Sequence, residues 1–227
     1  NGHVVGRRLV SDPNVAMVSF TGSVNAGLAI GQAAVAKSKR VVLELGGKSP
    51  FIVLPDADVA GATKACMTGL LRNSGQSCNA PSRLIVPKAR LAEAEAVAAA
   101  VANGIVIGDP ANPGTQMGPL ANEAHYQSVQ RFIERGLSEG AHLIAGGTGH
   151  PNGLDQGWYA RPTVFSRVAD DAHVVQEEAF GPVLVIQSYD TVDEAVELAN
   201  RCEFGLSAYV VGPDLALAQQ TARRLQA

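Results

Sequence analysis

The chain has 227 residues, of which 46% are hydrophobic, 17% charged and 5% aromatic. This length accommodates one large or two small domains with a sizeable core, and the composition is typical of an ordered α/β protein. The formal net charge is -3, and the longest basic clusters are only two to four residues. These features argue against nucleic acid as a partner.

Three cysteines, Cys66, Cys78 and Cys202, lie far apart without a CxxC pair. The sequence therefore predicts neither a disulfide framework nor a zinc site, and this cysteine usage leads us to expect a cytoplasmic protein. The five histidines are scattered and do not suggest a metal site either. No apolar run reaches the roughly 18 residues of a membrane helix, and no signal peptide is evident. Because the chain opens at Asn1 and its last helical pattern has no terminator, we expect a piece of a longer protein.

Short β-branched runs alternate with Ala-rich stretches of helical period, which predicts an α/β fold with a mostly parallel sheet flanked by helices. The predicted strands are residues 16–20, 41–45, 51–54, 83–86, 142–145, 163–166, 183–189 and 208–211. The predicted helices are residues 26–36, 59–71, 91–103, 121–139, 192–201 and 215–225. Two Gly/Pro-rich stretches, 108–120 and 146–157, are predicted to be surface loops.

Thr21, Gly22 and Ser23 end an apolar strand and precede a helix. Glycine permits close backbone approach, and a helix N-terminus presents unpaired N–H groups, so this turn is a candidate pyrophosphate site. Ser23 could equally be an ordinary N-cap. Gly2 and Gly6 have the spacing of a second glycine turn, which alone is weak evidence.

Glu44 lies in an apolar strand that ends in Leu45, Gly46 and Gly47. We expect it to be buried, and a desolvated carboxylate can serve as a general base near neutral pH. A structural Glu paired with Lys48 or with a backbone amide is an equally open interpretation.

Cys78 is flanked by polar residues, Asn73 to Ser77 and Asn79, between a helix and a strand. A thiol on such a loop can be reactive, whereas Cys66 and Cys202 have the helical contexts of structural cysteines. The Gly75-Gln76 step favours a tight turn whose backbone N–H groups can stabilise an oxyanion beside the thiol.

Glu178 and Phe180 belong to the segment Glu-Glu-Ala-Phe-Gly-Pro-Val, which precedes a strongly apolar strand. A carboxylate there could accept hydrogen bonds from ribose hydroxyls, and the phenyl ring could pack against a flat ring. A solvated acidic pair ahead of a strand is the alternative.

These motifs together resemble the aldehyde dehydrogenase superfamily. Glu44 and Cys78 are 34 positions apart, and Cys78 and Glu178 are 100 positions apart. The intervening sequence agrees as well, and the resemblance spans essentially the whole chain. The matching stretches are Gly108-Asp109-Pro110, Met117-Gly118-Pro119-Leu120, Gly140-Ala141 before Gly146-Gly147, Arg161-Pro162-Thr163 and Phe204-Gly205-Leu206-Ser207-Ala208.

The resemblance implies a role for each matching residue. Cys78 is similar to the family nucleophile and Glu44 to the general base, while the implied NAD or NADP contacts are Thr21, Gly22, Ser23, Leu45, Gly46, Glu178 and Phe180. It further implies that residues 1–46 are the C-terminal part of a Rossmann-like dinucleotide-binding domain and residues 47–227 a catalytic domain truncated at its C-terminus. The implied reaction oxidises an aldehyde to a carboxylate through a cysteine thiohemiacetal and a thioester, in a parent that forms a homodimer or homotetramer.

The resemblance also leaves alternatives. The family's N-terminal Rossmann half and its C-terminal segment have no counterpart here, so we expect little or no activity from this polypeptide alone. A coenzyme A-acylating relative is the runner-up, although that branch is expected to lack a base at the Glu44 position. A cofactor-free cysteine hydrolase would need a His placed to activate Cys78, and no motif supplies one. A catalytically silent fragment is the third alternative.

Overall fold

The computed structural model describes residues 2–227, and it divides into two compact units, Asn1–Gly46 and Gly47–Ala227. In the first unit, helix α1 (Gly2–Ser11) precedes strand β1 (Met17–Thr21), helix α2 (Val24–Val35) and strand β2 (Arg40–Glu44). The two strands are parallel, with Met17 opposite Arg40 and Thr21 opposite Glu44. A helix between parallel neighbours is the usual way to connect such strands.

The second unit contains strands β3 (Pro50–Val53), β4 (Arg83–Pro87), β5 (His142–Ala145), β6 (Thr163–Ser166), β7 (Val183–Tyr189) and β8 (Tyr209–Val211). Its helices are α3 (Val59–Leu71), α4 (Leu91–Gly104), α5 (Glu123–Ser138), α6 (His173–Gln176), α7 (Val192–Asn200) and α8 (Leu215–Ala222). The strands form one sheet in the order β5-β6-β7-β4-β3-β8, parallel except for the β5–β6 pair. The predicted α/β class and mostly parallel sheet are confirmed.

Helices cover both faces of this sheet, which is why its central strands are apolar throughout. On one face, Leu184 and Ile186 of β7 pack with residues of α3 and α4, including Cys66 and Ala98. On the other face, Val183 and Val185 pack beneath α5 and α6, and the Ile52 side of the sheet packs beneath α7 and α8.

Most predicted elements are confirmed within one or two residues, but two helices were missed. Residues 2–11 form α1, so the spacing of Gly2 and Gly6, which was only weak evidence for a glycine turn, belongs to a helix. A spacing of four positions is also about one turn of an α-helix, and both glycines lie on α1. The other missed helix is α6, a single turn too short to show a helical period.

Arg83 is the largest fully buried side chain of the second unit and joins the sheet to α7. Its guanidinium donates hydrogen bonds to the carbonyls of Lys48, Leu198 and Ala199 at 2.9, 2.9 and 2.7 Å. The last two carbonyls lie in the final turn of α7, where the helix dipole favours a cation, and the Leu198 carbonyl also accepts the Arg201 N–H at 3.4 Å.

We expect Arg83→Leu to lower the free energy of unfolding by about 3 kcal/mol or more, because it removes a buried guanidinium that donates to three carbonyls. Urea denaturation measures the change. Arg90→Leu is the matched control, since Arg90 forms only a surface ion pair with Glu93 and should cost about 1 kcal/mol or less. Equal losses in the two variants would contradict this account.

Candidate active site

In the first unit, the predicted cofactor residues lie together where β1 and β2 end. The Gly22 N–H donates to the Glu44 carbonyl at 3.0 Å, joining the two strand ends. Ser23 is the N-cap of α2, and its hydroxyl accepts a hydrogen bond from the Ala26 N–H at 3.4 Å. Thr21 ends β1, so the carboxyl edge of both strands and the N-terminus of α2 meet at one place, which is where parallel α/β sheets bind ligands.

Leu45 follows β2 and packs directly against α2. A Cβ on Gly27 would lie 2.4 Å from Leu45 Cδ2, so the helix approaches this closely only because residue 27 is glycine. Gly46 follows Leu45 and ends the unit. The ends of β1 and β2 are therefore held rigidly against the first turn of α2, which suits a phosphate-binding edge.

The expectation that Glu44 is buried is wrong for this chain, because its side chain is exposed. Strand β2 alternates exposed and half-buried residues along its length, and Glu44 falls on the exposed side of a two-stranded sheet. Glu44 does lie beside the predicted cofactor residues through its backbone carbonyl. The desolvation that we expected at its carboxylate is absent.

In the second unit, a left-handed turn shapes the loop that carries Cys78. Asn73, Ser74 and Gly75 have φ of 50°, 57° and 76°, respectively, at the end of α3. A Cβ on Gly75 would lie 2.2 Å from the Gly181 carbonyl group, so only glycine fits there. The Ser74 hydroxyl donates to the Gly118 carbonyl at 2.8 Å, which holds the turn in place.

Cys78 lies in the next turn, which the Ala80 N–H closes on the Ser77 carbonyl at 3.0 Å. The Tyr209 hydroxyl donates to the Asn79 carbonyl at 2.8 Å and fixes the turn to β8. Cys78 is partly exposed, whereas Cys66 is fully buried and its burial raises the pKa of its thiol. Cys202 is partly exposed and accepts a hydrogen bond from Arg83 at 3.3 Å.

Gly47 brings Cys78 and Glu178 to the same stretch of backbone. The Gly47 N–H donates to Glu178 Oε1 at 3.1 Å, and a Cβ on Gly47 would lie 2.4 Å from the Cys78 carbonyl oxygen. Gly47 and Glu178 line a crevice of about 10 Å³ together with Gly75, Ser77 and Phe180. Larger cavities, of about 410 and 370 Å³, open elsewhere in this unit and contain no predicted site residue.

The electrostatics of Glu178 depend on burial and on two neighbours. Desolvation raises the pKa of its carboxyl, while the Gly47 N–H and the charge of Lys48 act in the opposite direction. Lys48 is buried with its Nζ 5.3 Å from the centroid of the Phe132 ring, and burial followed by repulsion from Arg83 lowers its pKa to about 7. Glu178 is thus a half-buried acceptor beside a buried amine.

Phe180 is 40% exposed and adopts a left-handed backbone with φ of 49°, which is unusual for an aromatic residue. Its carbonyl accepts a hydrogen bond from His125 Nε2 at 2.7 Å, and the two rings meet edge to face at 5.9 Å. Because a carbonyl can only accept, His125 carries its proton on Nε2. This contact holds the strained residue and leaves the phenyl ring accessible.

Sequence reasoning missed three residues of this arrangement. Gly47 and Lys48 were noted only as neighbours of Glu44, although paired glycines after a strand were a usable signal for close backbone packing. His125 lies 55 positions from Phe180 in a helix, and no motif indicated it.

Among residues 2–227, no cluster of three or more His, Cys, Asp or Glu side chains could hold a metal ion. Within the same residues, no helix is long and apolar enough to cross a membrane.

The chain matches a sequence model described as "Aldehyde dehydrogenase family" over residues 1–227. It is 46% identical to a 3-succinoylsemialdehyde-pyridine dehydrogenase from a Pseudomonas species, over 100% of this chain and 47% of that protein. It is 50% identical, with a TM-score of 0.98, to the crystal structure of a mutant aldehyde dehydrogenase C from Pseudomonas syringae with NAD+ and octanal, covering 100% of this chain and 47% of that one. An NAD+ complex of a Bacillus cereus aldehyde dehydrogenase is 36% identical, with a TM-score of 0.96 and coverage of 100% and 46%. The chain thus spans about half the length of these relatives.

We expect Cys78 to be alkylated by iodoacetamide much faster than Cys66 in the folded protein, because Cys66 is fully buried and its thiol resists ionisation. Peptide mapping by mass spectrometry reads all three cysteines in one experiment. Denatured protein is the control, in which the rates should converge. A Cys78 rate no higher than that of Cys66 would show that the loop does not present the thiol.

Gly47→Ala should displace the Cys78 turn, because the new Cβ would meet a backbone oxygen and not a flexible side chain. We expect a loss of roughly 1–3 kcal/mol in unfolding free energy and slower alkylation of Cys78. Gly104→Ala is the control, since nothing lies within 4 Å of that position and alanine favours helix α4. Unchanged Cys78 reactivity in Gly47→Ala would contradict the close approach.

Proposed function

Because the chain belongs to the aldehyde dehydrogenase family, we propose that the protein containing it oxidises an aldehyde to a carboxylate with NAD+ or NADP+. The observation that carries this proposal is the meeting of Cys78 and Glu178 at the backbone of Gly47. A nucleophile and a ribose-binding carboxylate must be close together if a bound substrate is to react with a bound nicotinamide. The relatives that were solved with NAD+ support this choice of cofactor.

Cys78 is the proposed nucleophile. Its thiolate adds to the aldehyde carbon, and the resulting oxyanion is stabilised by the Cys78 backbone N–H and a second donor. Two features support the assignment: the thiol is partly exposed, and its turn is closed by the Ala80 N–H and held to β8 by the Tyr209 hydroxyl. A fixed turn aims the sulfur and the N–H without reorganisation during the reaction.

The proposed cofactor contacts divide between the two units. In the first, the donors at Gly22 and Ser23 would bind the pyrophosphate, with Thr21, Leu45 and Gly46 beside them. In the second, Glu178 would accept the nicotinamide ribose hydroxyls, and the accessible ring of Phe180 would orient the nicotinamide. The bound cofactor supplies the acceptor for the hydride that leaves the thiohemiacetal carbon.

Glu44 is the proposed general base. It removes a proton from a water molecule, the water oxygen attacks the thioester carbon, and the carboxylate leaves as the Cys78 thiolate is regenerated. A base at this position favours hydrolysis over transfer of the acyl group to coenzyme A. The exposed Glu44 carboxylate of this chain is open to water.

The decisive experiment follows NADH absorbance with an aldehyde and NAD+ in the full-length protein that contains this sequence. We expect NADH formation that Cys78→Ala abolishes and Cys202→Ala leaves within about twofold. Ester cleavage without NADH would identify a cysteine hydrolase, and dependence on coenzyme A would identify the acylating branch. We further propose that the 227-residue chain alone has little or no activity, which a turnover rate equal to that of a full-length homologue would overturn.

Glu178→Gln should raise the KM for NAD+ by about 10- to 100-fold, because a charge-assisted hydrogen bond contributes roughly 1.5–3 kcal/mol. Initial rates at varied NAD+ measure the change. Glu93→Gln is the control, since Glu93 only pairs with Arg90 at the surface. An unchanged KM would remove Glu178 from the cofactor site.

A cytoplasmic location and assembly as a homodimer or homotetramer complete the proposal.

A further inference from the structure

His173 is a buried histidine whose two ring nitrogens both face hydrogen-bond acceptors. It opens α6, is 3% exposed, and has Nδ1 at 2.7 Å from Glu139 Oε2 and Nε2 at 2.9 Å from the Phe132 carbonyl. Its ring also meets the Phe132 ring edge to face at 4.6 Å. Glu139 and Phe132 belong to α5, so the imidazole lies between two helices.

The acceptors fix where the protons are. The Phe132 carbonyl can only accept, so Nε2 carries a proton. The Glu139 carboxyl is paired with the Arg135 guanidinium and accepts the His173 backbone N–H, so it is ionised and also only accepts. Nδ1 therefore carries a proton as well, and His173 is a buried imidazolium paired with a partly exposed carboxylate.

Further hydrogen bonds and ion pairs surround the His173–Glu139 pair. Glu139 Oε2 accepts the His173 backbone N–H at 3.1 Å, and Arg135 donates to Glu139 at 2.8 Å and to Glu177 at 2.7 Å. Lys48 lies over the Phe132 ring that His173 contacts. The charged groups around the imidazolium are thus Arg135 and Glu139 of α5, Glu177 after α6, and Lys48 near the start of the unit.

The network fastens the segment that carries Glu178. Helix α6 is one turn of four residues, which has little stability of its own. His173 ties its start to α5, Glu177 ties the residue after its end to Arg135, and Glu178 then reaches the Gly47 N–H. The location of the Glu178 carboxylate thus depends on both attachments to α5.

We propose that His173 is a positioning residue that, as a doubly protonated imidazolium between α5 and α6, holds Glu178 where it binds the cofactor ribose. The proposal rests on the proposed function of Glu178. His173 does not contact the reacting atoms, and it acts only through the segment 173–178. A neutral side chain that donates to only one of the two acceptors would lose either the ion pair with Glu139 or the hydrogen bond to the Phe132 carbonyl, and with it one attachment of α6 to α5.

Nitrogen spectroscopy tests the charge without any activity measurement. In protein labelled with ¹⁵N-histidine, two-bond ¹H–¹⁵N correlations at pH 7 should show protons on both ring nitrogens of His173, with the resonance assigned by its loss in His173→Gln. A single protonated nitrogen at pH 7 would overturn the proposal. The protonation state is read in the unmodified protein, and His173→Gln serves only to assign the resonance.

Kinetics test the positioning role. In the full-length protein, His173→Gln should raise the KM for NAD+ about fivefold to 30-fold with kcat changed by less than about threefold, and His173→Lys, which keeps a cation with several donors, should restore most of the affinity. His142→Gln is the control, because His142 is exposed on β5. If Glu178→Gln raises the KM and His173→Gln does not, the positioning role is wrong; if neither does, the proposed function of Glu178 is wrong.

Acid unfolding gives an independent test of the ion pair. A carboxyl whose pKa is lowered by folding stabilises the protein above its unfolded pKa of about 4.3, and this stabilisation is lost as pH falls toward 2. We expect the free energy of unfolding to fall through this window, and to fall less steeply in Glu139→Gln and His173→Gln. Equal slopes in the variants and the unmodified protein would contradict the ion pair.

Discussion

The arrangement of the second unit depends on the absence of a side chain at Gly47. Its backbone lies so close to the Cys78 carbonyl that a Cβ would overlap it, and its N–H donates to Glu178. Gly75 makes a similar contact with Gly181, on the other side of the Glu178 segment. The two glycines therefore allow three loops that are distant in sequence to pack with their backbones in contact, and a larger residue at either position would push these loops apart.

Two buried cations, Arg83 and Lys48, lie next to the residues that pack around Gly47. Arg83 donates to the carbonyl of Lys48, the residue after Gly47, and also to the end of α7. Lys48 in turn lies against Phe132 and contributes positive charge near Glu178. The sheet, two helices and the Glu178 segment are therefore connected by side chains whose burial is tolerated because their donors and charges have partners.

Regular elements with strong local patterns could be predicted from sequence, and contacts between distant segments could not. Strands β5, β6 and β7 have the predicted bounds because β-branched runs are delimited by turn residues. Helix α6 was missed because four residues carry no period. The site motifs drew attention to Cys78, Glu178 and Phe180, but His125 and His173 act through contacts that span 34 to 55 positions. Glu44 shows the converse error, since an apolar strand does not guarantee burial of every residue on it.

The order of strands has a consequence for synthesis of the chain. Strand β3 lies between β4 and β8, and Phe51 is opposite Tyr209. One edge of β3 therefore stays open until some 150 further residues have been translated, which takes roughly 8–30 s at usual ribosome speeds. During that interval an apolar parallel strand exposes unpaired N–H and C=O groups that can pair with other chains. The nascent protein is thus vulnerable to aggregation until β8 has been made and has paired with β3.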